Sequence, residues 1–349
     1  MRKTFFRACA LAACVWLAGA AASAAGSFAG QDQTQTDKPK QEGPKLSGDE
    51  GKAVTKINTA TDPSAKLQAA DEFVKKYPKS EVRNQVARHV AGHIGNVQDA
   101  GQRISLSEKF LTTFNAPDEA DLVARTLLDA YLDVSRDADA FRAGAAWLQK
   151  NPDDVDVLRR LSVAAGNAAI KKNNDFVPQG RQYAAKAIEL IEADKKPAAW
   201  EATQWTEYKT KWLPAIYREA GVLAIRANDR AAAKANMEKA AALKSADPAV
   251  YLLLSDIANQ EYNEAAQAYQ AMPAGAEKNA RLKEIQAQLD RVIETYAQAV
   301  ATLEGNAQYD QARQQMRQDL ESYYKYRRGS TQGLQELIDK YKAAKPAAQ

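Results

Sequence analysis

The chain has 349 residues, 45% hydrophobic, 26% charged and only 8% aromatic, with a formal charge of +4. Three of the 48 basic residues, Arg2, Lys3 and Arg7, fall in the first seven positions; with these set aside, 45 remain against 44 acidic residues. That balance excludes the global basic field of a nucleic-acid binder, and an apolar share spent largely on alanine suits closely packed helices better than a β-rich core.

The three early charges belong to a leader. Met1 to Arg7 is basic, Ala8 to Ala22 is apolar, and Ala22-Ser23-Ala24 is a small-x-small cleavage site. Residues 1–24 therefore read as a secretory signal peptide, too short for a comfortable membrane span. The expected location is exported, periplasmic or extracellular. Both cysteines, Cys9 and Cys14, lie inside this segment, so the mature chain is expected to hold no disulfide and no thiolate metal site. Leu11-Ala12-Ala13-Cys14 also resembles a bacterial lipoprotein signal box, and cleavage there would leave a lipidated Cys14 as a membrane anchor. The apolar run before Cys14 is short and continues past it to Ala22, which favours cleavage after Ala24. Residues 25–47 are rich in Gln, Thr, Lys, Pro, Gly and Asp and read as a disordered linker.

Helices are predicted from Asp49 onward. Asp62-Pro63 opens one, with aspartate as N-cap and proline in the first turn. Three helix ends then look alike: Phe73-Val74 before Tyr77-Pro78, Phe110-Leu111 before Ala116-Pro117, and Trp147-Leu148 before Asn151-Pro152. In each an aromatic–aliphatic pair, a short polar stretch and a proline close the element. Asn173-Asn174-Asp175 enlarges the next turn. Trp200 to Trp212 reads as an aromatic-rich helix, with Pro214 at the first position of the element after it.

Residues 216–273 read as two helical hairpins back to back. One runs through Tyr217, Gly221, Asn228-Asp229, Ala233 and Met237 to Pro248. The other runs through Tyr251, Leu254, a turn at Tyr262-Asn263-Glu264, and Tyr269 to Pro273. This alternation of large and small residues around a polar break resembles the tetratricopeptide (TPR) repeat, a helix-turn-helix unit of about 34 residues. Phe73-x-x-x-Tyr77-Pro78-x-Ser80 is similar to repeat ends of such proteins in bacterial envelope assembly. Beyond Pro273, a long helix from Glu277 to Leu303, one ending before Gly329 and a last one from Gln332 to Tyr341 read as a cap over the end of the array. The expected architecture is an all-α solenoid of about five to seven irregular TPR-like hairpins, with the array over 48–273 and the helical cap over 274–345.

Several groupings could carry chemistry. His89 and His93, the only histidines, share a helix face at i and i+4, but no third ligand is identifiable and no metal is expected. Glu321-Ser322 and Gly333-Leu334-Gln335 resemble fragments of lytic transglycosylases without the pattern between them, so no catalytic role is assigned and a glycan-binding or glycan-active protein is the remotest reading. Tyr323-Tyr324-Lys325-Tyr326-Arg327-Arg328 combines aromatic and basic groups but also has the composition of a helix C-terminus. Trp205, Tyr208 and Trp212 share a face that is either core or an aromatic binding surface. The TPR resemblance implies a concave groove lined by first helices, and places Arg159, Asn167, Arg218 and Arg226 there as peptide-groove candidates. It implies a non-catalytic scaffold for a protein or peptide partner, without a cofactor and with membrane contact only through an N-terminal anchor. The alternative is an anchored accessory of envelope assembly.

Overall fold

The structure, a computed structural model, describes residues 46–342. The expected signal peptide, Cys14 and most of the linker lie outside the described residues. Fourteen α-helices and no strands occur among the described residues. They are α1 (Gly48–Thr59), α2 (Pro63–Lys76), α3 (Arg83–Gly95), α4 (Ala100–Thr113), α5 (Pro117–Asp133), α6 (Asp137–Lys150) and α7 (Val155–Ile170). There follow α8 (Val177–Glu192), α9 (Ala202–Arg226), α10 (Arg230–Ala242), α11 (Pro248–Ala271), α12 (Ala276–Leu303), α13 (Asp310–Arg328) and α14 (Leu334–Lys342).

Local chemistry sets most of the boundaries. The Asp62 carboxylate accepts the Ala65 N–H at 2.8 Å, and Pro63 takes the first turn where its missing N–H costs least. Asp99, Asp154, Asp229 and Asp247 cap α4, α7, α10 and α11 in the same way. Pro117 opens α5, whereas Pro78 and Pro152 follow helix ends. Five helices finish on a residue in the left-handed region that is not glycine: Ser135, Lys172, Asp194, Asn228 and Lys244. After each, the next N–H reaches back to the last turn, as Asn173 N–H does to Ala168 O at 2.9 Å and Ser245 N–H to Ala240 O at 3.1 Å. This is the Schellman closure, which satisfies carbonyls that the helix end would leave unpaired.

Consecutive helices pack as antiparallel pairs, and each pair meets the next. Contacts join α3 to α5, α5 to α7 and α7 to α9, the first helices of successive hairpins, while α2 also touches α4. Small residues mark the closest approaches. A Cβ added at Gly180 of α8 would lie 2.3 Å from the Ala165 Cβ of α7, and one at Gly221 of α9 would lie 2.6 Å from Met237 Cε of α10. The cores follow the stacking. One cluster around Phe73, Phe110 and Phe114 spans α1 to α5, and another around Phe141, Leu161 and Leu223 spans α4 to α9. The largest joins Tyr217, Met237 and Leu254 to Ile293, Tyr296, Leu320 and Ile338, from α9 to α14.

Two sequence expectations are corrected. Residues 248–271 form one continuous helix, not a second hairpin. At the preceding break Asn228 takes φ 57° and Asp229 caps the next helix. In Asn263-Glu264 no N-cap residue follows the asparagine, and Tyr262 packs into the C-terminal core, 6.1 Å from the Tyr323 ring. The hairpin partner of α11 is α12. Pro214 does not start a helix either, since α9 runs through it. A proline inside a helix costs about 3 kcal/mol. Here Trp205, Tyr208, Leu213 and Ile216, from both sides of the proline, lie in a single core cluster, and that burial offsets the cost.

Candidate functional site

Helix α7 carries the part of the predicted groove that comes together. Arg159 and Asn167, eight residues apart, lie on one face with Arg160, Val163 and Lys171. Opposite them are Leu132 and Ser135 at the end of α5 and Asp137 at the start of α6. Together these residues line a cleft of about 200 Å³. The left-handed turn at Ser135 reverses the chain at its edge.

The cleft arginines are held in a ladder of charges. Arg160 reaches Asp129, and Asp133 at 3.1 Å; Asp133 also pairs with Arg103. Arg125 contacts Asp129 at 3.1 Å, Asp154 at 2.8 Å and Asp156 at 2.7 Å. Arg159 donates to Asp156 at 2.7 Å and lies 3.9 Å from the centroid of the Trp212 ring. Four guanidinium groups thus meet four carboxylates, and the ladder carries no net charge. Burial pushes the Asp137 carboxyl above its usual range, with Lys171 opposing the shift. The Asn167 side chain is exposed and makes no hydrogen bond among the described residues. The cleft therefore offers a free amide at Asn167 and a lysine ammonium at Lys171 beside two arginines fixed in position.

The other two predicted groove residues lie elsewhere. Arg218 is largely buried, with Nη2 3.1 Å from Glu219 Oε2 and Nε 3.1 Å from Asp247 Oδ2. Arg226 is exposed at the last turn of α9. Of the aromatic candidates, Trp205 and Tyr208 are core residues. Trp205 Nε1 donates to Asp194 at 2.8 Å, and Tyr208 Oη donates to Val155 O at 3.4 Å. Trp212 is half-buried and meets the cleft only through Arg159. The aromatic–basic run of α13 is dispersed around its helix. Tyr323 Oη donates to Asn259 at 2.7 Å, Arg327 and Arg328 both pair with Asp290, and Tyr326 projects into solvent.

A second cleft, about 480 Å³, lies over Leu254 and Ile257 of α11, between Lys234 and Glu238 of α10 and Gln288, Arg291 and Gln298 of α12. Lys234 is paired with Glu261 at 2.6 Å.

Two buried polar arrangements were not apparent in the sequence. The Lys66 side chain is fully buried. Its Nζ donates to Ile57 O at 2.7 Å and Asn58 O at 3.4 Å, at the C-terminus of α1, and lies 3.0 Å from His89 Nε2. A lysine donor requires that nitrogen to accept, which puts the ring proton of a neutral His89 on Nδ1. Burial, with Lys66 and then His93 adding repulsion, pushes His89 below the ordinary histidine range. The two histidine rings stack edge to face at 4.8 Å, and no cluster of three or more metal-ligating residues occurs among the described residues. The second arrangement is Glu219, 3% exposed on α9, whose Oε1 occupies space left by the missing side chain of Gly166 on α7. Burial pushes its carboxyl up to about 7, with Arg218 pulling down and Asp247 pushing up.

No protein-family model matches this sequence, and no curated protein matches it. Among solved structures, the chain is similar to a tetratricopeptide repeat protein from Parabacteroides merdae, at 9% identity and a TM-score of 0.34 over 77% of this chain and 96% of that one. It is also similar to a monomeric IFIT1 mutant with m7Gppp-AAAA, at 13% identity and a TM-score of 0.31, covering 81% of this chain and 56% of that one. Superpositions this loose carry no register, site or ligand from one chain to another. The pairing of its own helices defines this chain as an all-α solenoid of stacked, TPR-like hairpins.

Proposed function

We propose that this chain is an exported, non-catalytic scaffold that binds a protein or peptide partner, and that the α5–α7 cleft is one of its contact sites. The observation that carries this reading is the convergence of Arg159 and Asn167 with Arg160 and Lys171 on one cleft. An exposed amide suits a peptide main chain, which needs both donor and acceptor, and Lys171 suits a carboxylate on the partner. The arginines are already immobilised by Asp129, Asp133 and Asp156, so binding costs little side-chain ordering. Export rests on the basic, apolar and small-x-small succession of residues 1–24.

Site-specific photo-crosslinking in the native envelope tests the proposal. A crosslinker at position 167 is expected to capture a discrete partner, with capture reduced by Lys171→Glu. Capture that is absent at position 167, or unaffected by Lys171→Glu, would sink this site. Mass spectrometry of the mature N-terminus tests export. A start at Ala25 fits a released scaffold, a lipidated Cys14 fits an anchored one, and an intact Met1 excludes both.

A further inference from the structure

We propose that Glu219, Arg218 and Asp247 form a proton-sensitive link between successive hairpins, in which the charge state of Glu219 decides how tightly α9 is tied to α11.

One guanidinium stands between two carboxylates. Arg218 Nη2 is 3.1 Å from Glu219 Oε2, and its Nε is 3.1 Å from Asp247 Oδ2. The two acids belong to different interfaces. Glu219 points into the α7–α9 contact, where Gly166 has no side chain: an added Cβ there would lie 1.5 Å from Oε1. Asp247 is the N-cap of α11, and its Oδ1 accepts the Ala249 N–H at 2.9 Å. Arg218 thus ties α9 to the start of α11, and Glu219 beside it fills the gap left by Gly166 of α7.

The surroundings leave Glu219 with few other charges. From its own helix Arg218 acts on it, and from α11 Asp247. Helix α7 faces it with Gly166. On α8, Glu192 is bonded by Tyr217, and Arg181 is engaged 2.6 Å from Asp229 at the start of α10. Helix α10 meets this part of α9 through Met237 against Gly221. The Tyr309 phenol, before α13, responds to Asp247 and Arg218 and is itself pushed up by burial.

The two protonation states differ in the net charge they bury. With Glu219 ionised, two carboxylates share one guanidinium and the cluster is negative. With Glu219 neutral, Arg218 and Asp247 balance, and the guanidinium belongs to α11 alone. Loss of the proton therefore draws Arg218 toward the α7–α9 interface and weakens its hold on the first turn of α11. Burial against α7 moves this ionisation close to neutrality, so the change falls in an ordinary pH range.

Hydrogen exchange read by mass spectrometry between pH 5.5 and 8.5, corrected for intrinsic rates, tests the link on the full chain without any partner. Peptides covering residues 248–254 are expected to lose protection at least several-fold as pH rises, with a midpoint near 7. In Glu219→Gln, which fixes the neutral form, protection should stay at the low-pH level throughout. Absence of a midpoint in the wild type, or its persistence in the variant, overturns the proposal. Carboxyl carbon NMR of the wild-type protein gives a second reading that needs no substitution. A Glu219 signal titrating near neutrality supports the link, and one titrating in the usual carboxylate range overturns it.

Discussion

Gly180→Ala adds one methyl group where α7 and α8 touch. The new Cβ would stand 2.3 Å from Ala165 Cβ and 3.2 Å from Leu223 Cδ1. Leu223 can rotate, but the Ala165 methyl is fixed to its backbone, so relief requires the two helices to separate by roughly 1.2–1.7 Å at this contact, given ordinary carbon contacts of about 3.5–4.0 Å. Overpacking of this kind costs about 1–3 kcal/mol. Alanine recovers about 0.5–1 kcal/mol through lower chain entropy and better helix propensity, leaving a net loss of up to about 2.5 kcal/mol. Gly92→Ala is the matched control, since an added Cβ at this exposed α3 position meets nothing within 4 Å. It should stabilise by about 0.5–1 kcal/mol from propensity alone. Gly221→Ala should fall between them, because its closest neighbour is the flexible end of Met237. Urea unfolding followed by hydrogen exchange gives both the size and the place of each effect. A Gly180→Ala variant as stable as Gly92→Ala would refute the close approach of α7 and α8 on which the stacking rests.

Three further outcomes can be measured directly. His89 has a folded pKa held below its unfolded value near 6.5, so the neutral ring favours folding above that value. Protection of α1 to α3 should fall as pH drops below about 6.5 and on through the folded pKa, as hydrogen exchange across pH 5 to 7.5 would show. Glu219 works in the opposite sense, because its folded pKa is raised. Its contribution is full below about 4.5 and is lost as pH rises through about 7, a change of roughly 3 kcal/mol in unfolding free energy at most, which Glu219→Gln should abolish in pH-dependent denaturation. Lys172→Gly and Lys244→Gly should each stabilise by about 0.5–1 kcal/mol in the same assay, since both lysines hold left-handed φ angles that glycine adopts freely; Asn228→Gly should gain less.

Features written in a few adjacent residues were legible in the sequence. Asp62-Pro63 starts α2, Gly329 closes α13 at φ 82°, and the stripe from Ile285 to Val300 is the buried face of α12. Pro214 and Asn263 were misread because packing from distant helices decides them. Their local signals favour a break, and the cores around Trp205 and Tyr262 override it. Arg159 and Asn167 were readable as one helix face, and Lys171 continues that face four residues on, a spacing that identifies it in retrospect. Arg218 was misassigned to the groove because its constraint is not local. The residue beside it turns toward Gly166, more than fifty positions earlier, and its other partner, Asp247, caps α11, two helices on.

The division of the interior into several clusters has a mechanical consequence. Under tension applied along the chain, the clusters spanning α1 to α5, α4 to α9 and α9 to α14 should yield as separate blocks, each giving its own extension step. The region from α9 to α14 should resist as one block, because a single cluster links Tyr217 to Ile338 and the 28-residue α12 binds α11, α13 and α14 together. A load carried through this chain would therefore part it first where neighbouring clusters meet, with the C-terminal helices moving as one unit.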